Sequence, residues 1–179
     1  GINALLEERA IHAYSPAGGQ HHAHQAYASG FCIYNDSAAA IAVALQAGRR
    51  VAYVDFDAHH GDGVQDAFYD EPRVLTISIH ESGRLLFPGT GDIAEMGKGD
   101  GRGACLNIPL PAFAGDEAIL QAFDRVIAPA VRAWAPDILL TQMGVDTHHA
   151  DPMTHLNASI TLYPQLAARL HALAHEASA

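Results

Sequence analysis

Three short apolar runs, VAYVDFD (51–57), VLTISIH (74–80) and DILLTQMG (137–144), lead into clusters of Asp, His and Gly. This placement constrains the fold more than any other feature of the chain. Runs of this length, rich in β-branched residues, read as strands buried on both faces. Helical patterns separate them. The spacing predicts a helical end over 2–12, a helix from Ser37 to Gln46 capped by Asp36, and a short helix near Val64–Tyr69. A long helix from Asp116 to about Trp134 is expected to break or bend near Pro129, and a last helix covers Tyr163–Ala177. CLNIPL (105–110) adds a shorter strand, and the Gly-rich stretch 81–103 reads as a long loop. Strands alternating with helices imply an α/β fold with a mostly parallel sheet covered on both faces. Ligands bind such sheets beyond the carboxyl ends of the strands, where the polar clusters fall.

Composition narrows the function. The 179 residues carry 20 acidic and 10 basic side chains, and Lys98 is the only lysine. No basic stripe offers itself to phosphates, so nucleic acid is not an expected partner, whereas a basic peptide would be tolerated. No apolar run approaches the ~20 residues needed to span a bilayer, so no membrane is expected. Cys32 and Cys105 form no CxxC pair and suit a reduced, cytoplasmic protein. The twelve histidines include three adjacent pairs, His21–His22, His59–His60 and His148–His149.

Asp57 and His59 alternate with Phe56 and Ala58 as the first strand runs out, so both side chains can point the same way. A carboxylate and an imidazole at this spacing suit zinc, and Asp146, just past the fourth strand, fits as the third ligand. Three protein ligands leave a position open for water, as hydrolysis requires. Asp55 and Asp62 flank these residues and could each orient an imidazole, of which His21 and His22 are candidates; spacing leaves the pairing open. His60 should project away from His59 and serve structure. His12, His24, His155, His171 and His175 read as solvated or helix-face residues.

In order, GGQHHA, GFCIYND, VAYVDFDAHHGDGVQDAFYD, LTISIHESG, LFPGTGD and QMGVDTHHADP resemble the zinc-dependent histone deacetylase superfamily, in its bacterial acetoin-utilisation branch. The resemblance runs from about residue 12 to the end. It implies an arginase-like three-layer fold and hydrolysis of acetyl-lysine amides on proteins, with an acetylated enzyme as substrate rather than a histone. It also implies Asp57, His59 and Asp146 as zinc ligands, His21 paired with Asp55, and His22 paired with Asp62 and acting as general base. Gly30 would receive the substrate amide, Phe31 and Phe87 would wall the lysine stem, and Met153 would stand at the channel mouth. Asp55, Asp57, His59, Ser78 and Ile79 match a monovalent-cation site, usually potassium. The family's catalytic tyrosine lies in a Gly-rich turn beyond the last helix, and none of the six tyrosines here stands in such a turn. The expectation is therefore a single catalytic domain, 1–179, cut from the middle of a longer deacetylase, slow in turnover and self-associating through exposed sheet edges.

Rival readings share parts of this chemistry. An acetylpolyamine deacetylase would use the same zinc site. A two-manganese ureohydrolase would want D-A-H-x-D, but DAHHGD places the second aspartate one residue late, and His148 stands where a further carboxylate is needed. A metal-binding fragment with impaired catalysis is the non-enzymatic alternative.

Overall fold

A computed structural model describes residues 1–177. Four parallel strands, β1 (Val51–Asp55), β2 (Val74–Glu81), β3 (Cys105–Leu110) and β4 (Ile138–Gln142), lie in the order β3-β2-β1-β4. All five residues of β1 and all eight of β2 are buried, which is why neither run shows polar alternation. Pro109, which has no N–H to give a ladder, is found on edge strand β3.

The period of two along β1 divides the core. Ala52, Val54 and Phe56 join Leu75, Ile77 and Ile79 in one cluster, packed under α4 (Asp116–Ala122), α5 (Ala128–Trp134) and α6 (Leu162–Ala177). Val51 and Tyr53 join Val74 in a second cluster with Ile41 and Ala44 of α2 (Asp36–Gln46) and Val64 of α3 (Asp62–Ala67). The result is three layers, as the fold class predicts. Along α6, Leu162, Leu166, Leu170 and Leu173 bury one stripe. Each contributes about 1.5–3 kcal/mol relative to exposure.

Three local expectations change. The first helix, α1, covers only Ile2–Leu6 rather than 2–12; Glu8 takes φ +55°, and the chain leaves the helix there. Asp36 is not the cap of α2. Asn35 accepts from Ala38 N at 2.9 Å, and Asp36 is the first helical residue. The Asp116–Trp134 helix does not break at Pro129: a π turn over Phe123–Ile127 precedes α5, which carries the proline in its first turn. A wider turn there accommodates a residue that cannot donate a backbone hydrogen bond.

Candidate metal centre

The loop before α2 reaches the carboxyl ends of β1 and β4 because α2 holds it. Asp36 accepts from Gly19 N and Gln20 N at 2.8–3.1 Å, and the Asn35 amide donates to the carbonyls of His21 and Ala23. His21 and His22 are thereby buried, with ring centroids 4.0 Å apart. His21 Nδ1 lies 2.7 Å from Asp55 Oδ2 and His22 Nδ1 lies 2.6 Å from Asp62 Oδ1. A carboxylate on Nδ1 leaves each Nε2 available. His21 Nε2 stands 3.8 Å from Asp57 Oδ1.

Asp57, His59 and Asp146 converge, each offering a donor atom within 4.8 Å of the others. His59 Nδ1 faces Asp57 Oδ1 at 3.0 Å and Asp146 Oδ2 at 2.8 Å. Tetrahedral ligands at ~2 Å from zinc would lie about 3.3 Å apart, so a small outward movement would admit an ion. The other oxygens are already committed. Asp57 Oδ2 accepts from Gln142 Nε2 at 3.0 Å, and Asp146 Oδ1 accepts from Ala58 N at 2.9 Å. Such outer contacts aim the remaining atoms inward. Gly144 is needed beside them, because a Cβ at that position would run into the Asp57 carboxylate.

The electrostatics agree with a cation site. Burial opposes charge on His59, yet its hydrogen bonds to Asp146 and Asp57 carry its pKa up to about 10. Burial likewise opposes charge on His21, and Asp55 overrides it, raising the pKa to about 9. Burial works against both Asp57 and Asp62, but hydrogen bonds from His59, and from His22 and His24 respectively, keep them below the usual carboxylate range.

The remaining predicted residues are less engaged. Gly30 has φ +51°, and a Cβ there would penetrate the His22 ring. Its carbonyl accepts a thiol contact from Cys32 at 3.3 Å. Phe87 packs edge-on to His22, centroids 5.0 Å apart, while Phe31 is 96% exposed. Met153 is exposed on the loop after Asp146. Ser78 pairs in register with Asp55, and Ile79 turns its side chain into the core. His60 is structural, held between Thr90 Oγ1 and Gln65 Oε1. The His148 and His149 rings lie tilted against each other, 4.3 Å between centroids, outside the donor cluster.

Several participants escaped sequence reasoning. His24, read as solvated, lies 3.3 Å from the second oxygen of Asp62. The fully buried Glu81 side chain accepts from His155 N and pairs with its Nδ1, tying down the segment after Asp146. Tyr163 donates to Val145 O, the residue before Asp146. Tyr53 donates to Asp55 Oδ2 at 2.6 Å. Only Tyr53 had a signal: it lies two residues before Asp55 on one strand, hence on the same face.

The profile of the histone deacetylase domain matches residues 1–179. The chain belongs to the histone deacetylase family. It is 49% identical over 173 residues to the acetoin utilization protein AcuC of Bacillus subtilis (strain 168), a match covering 96% of this chain and 45% of that protein. The AcuC protein of Staphylococcus aureus (strain MRSA252) is 44% identical over 157 residues, 87% of this chain and 40% of its own length. In structure the chain resembles the HDA15 HD domain, with TM-score 0.87 and 33% identity over 96% of this chain and 51% of that one. The chain thus spans less than half the length of these curated relatives. Membership of the histone deacetylase family carries the arginase/deacetylase fold with it and implies a metal ion, which the Asp57–His59–Asp146 donors fit.

Proposed function

We propose that this chain carries the centre of a cytoplasmic zinc-dependent deacetylase that hydrolyses acetyl-lysine amides on proteins. The observation that carries the reading is the convergence of two buried His–Asp pairs on one Asp–His–Asp donor cluster. Asp57, His59 and Asp146 would hold zinc, the ion favoured by a three-ligand set with one imidazole. Bound there, zinc supplies Lewis acidity toward the acetyl carbonyl and toward water.

His22, oriented by Asp62, takes the proton of the attacking water through Nε2. His21, kept protonated by Asp55, sets positive charge beside the reacting carbon and has a proton to give the departing lysine amine. Acetate and free amine are the products. The lysine stem would lie against Phe87 and Phe31, with Gly30 O accepting the amide N–H and Met153 at the mouth. Asp55, Asp57, His59, Ser78 and Ile79 would hold potassium, in part through backbone oxygens.

Acetate release from an acetyl-lysine peptide, with and without added zinc, tests this. The expected result is zinc-dependent release that His22→Ala lowers by roughly 10²–10⁴. Release indifferent to zinc and to His22→Ala would remove the reading. Cleavage of acetylpolyamine but not of the peptide would replace it with the polyamine reading.

A further inference from the structure

At the end of the molecule away from the donor cluster, three more imidazoles meet. His171 and His175 sit four residues apart on α6, hence on one face, with ring centroids 4.6 Å apart. His12 comes from the irregular segment after α1 and places its ring 4.9 Å from His171 and 5.1 Å from His175. One ring nitrogen from each lies within 4.8 Å of the others, and all three residues are exposed. None makes a hydrogen bond or ion pair with any other group among the described residues. That sets them apart from His21, His22, His24, His59 and His155, each of which has a carboxylate partner.

We propose that His12, His171 and His175 form a second metal site, for a borderline-soft divalent ion of the zinc, nickel and copper group. Three imidazoles with no carboxylate select these ions over magnesium or calcium, which take oxygen. A fourth position stays open to water. Nitrogens around a tetrahedral ion lie about 3.3 Å apart, so closure asks for modest side-chain rotations that exposed rings are free to make. The donor set also differs from that of the Asp57 cluster, which supplies two oxygens and one nitrogen.

The site would act as a clasp. His12 follows a turn at Glu8, where φ is +55°. The three histidines border a groove of about 960 Å³ lined by Leu5, Leu6, Ile11, Leu139 and Leu170. An ion bound by His12 on one side and by α6 on the other fastens the N-terminal segment across that groove. Arg9, three residues before His12, lies in the segment so fastened and is a natural tryptic site.

Zinc titration of tag-free, chelator-treated protein, read by calorimetry and by metal analysis after dialysis, tests the proposal together with tryptic cleavage at Arg9. Two ions per wild-type chain are expected, one for Asp57→Ala, and one for the His171→Ala/His175→Ala double variant. Zinc should slow cleavage at Arg9 several-fold in wild type and in Asp57→Ala, and leave it unchanged in His12→Ala and the double variant. An Asp57→Ala protein that binds no zinc would overturn the proposal. So would a double variant that keeps full stoichiometry, or zinc protection of Arg9 that survives loss of His12. Because Asp57→Ala isolates the histidine site, the outcome is independent of whether the Asp57 cluster serves a deacetylase.

Discussion

Asp55 Oδ2 accepts the Tyr53 hydroxyl at 2.6 Å and faces His21 Nδ1 at 2.7 Å, so one oxygen joins the strand core to the His21 imidazole. Asp55 is wholly buried, and its other oxygen accepts Asp57 N at 3.1 Å. The carboxylate has no freedom to swing away from His21.

Tyr53→Phe should therefore loosen His21 without touching substrate. A hydrogen bond to a charged group contributes about 1.5–3 kcal/mol; with a water unable to replace the hydroxyl, much of this falls on the orientation of Asp55. Deacetylation should drop roughly tenfold in kcat with KM little changed, and the fold should survive. Steady-state kinetics decides the point, and a KM effect with unchanged kcat would assign Tyr53 to substrate binding instead.

Metal binding should release a proton from His59. In the metal-free protein Asp146 and Asp57 raise its pKa to about 10, so at pH 7 Nδ1 is protonated, and only the unprotonated nitrogen binds metal. Zinc affinity should then rise about tenfold per pH unit between about pH 6.5 and 8. Calorimetry in buffers of different ionisation heat measures the proton directly, in a variant lacking His171 and His175. Binding without proton release would mean that His59 is already neutral or is not a ligand.

Acid should weaken the fold through His80. Burial, then repulsion from His60, pushes its pKa down to about 4, so it is neutral when folded. The unfolded chain, with an ordinary value near 6.5, binds the proton more readily. The stabilisation is whole above about pH 6.5 and is lost as pH falls toward 4, up to about 3 kcal/mol. Urea unfolding of wild type and His80→Gln across that range should show a steeper decline for wild type. Parallel curves would mean that other groups carry the acid sensitivity.

Much of this architecture is written in local sequence. Buried β1 and β2 announce themselves as unbroken apolar runs, and Asp57, His59 and Asp146 fall at strand ends, where α/β sheets bind ligands. What sequence does not carry is register and reach. Gln142 contacts Asp57 only because β4 lies beside β1 with Gln142 opposite Asp55. Glu81 meets His155 across 74 residues, and neither residue's neighbours predict it. His24 and His22 share Asp62 because the loop folds back over α3, a path set by Asn35 and Asp36 rather than by any periodic pattern. The end of α1 is similarly illegible: the helix stops after one turn, where propensity alone would continue it.

The most direct measurement is anomalous X-ray scattering at the zinc edge from crystals grown with zinc. The account predicts a peak within about 2.0–2.2 Å of His59 Nδ1 and one oxygen each of Asp57 and Asp146, absent from Asp57→Ala crystals. No zinc peak at this position in wild-type crystals, with these three side chains still bonded to one another whatever zinc binds at His12, His171 and His175, would contradict it.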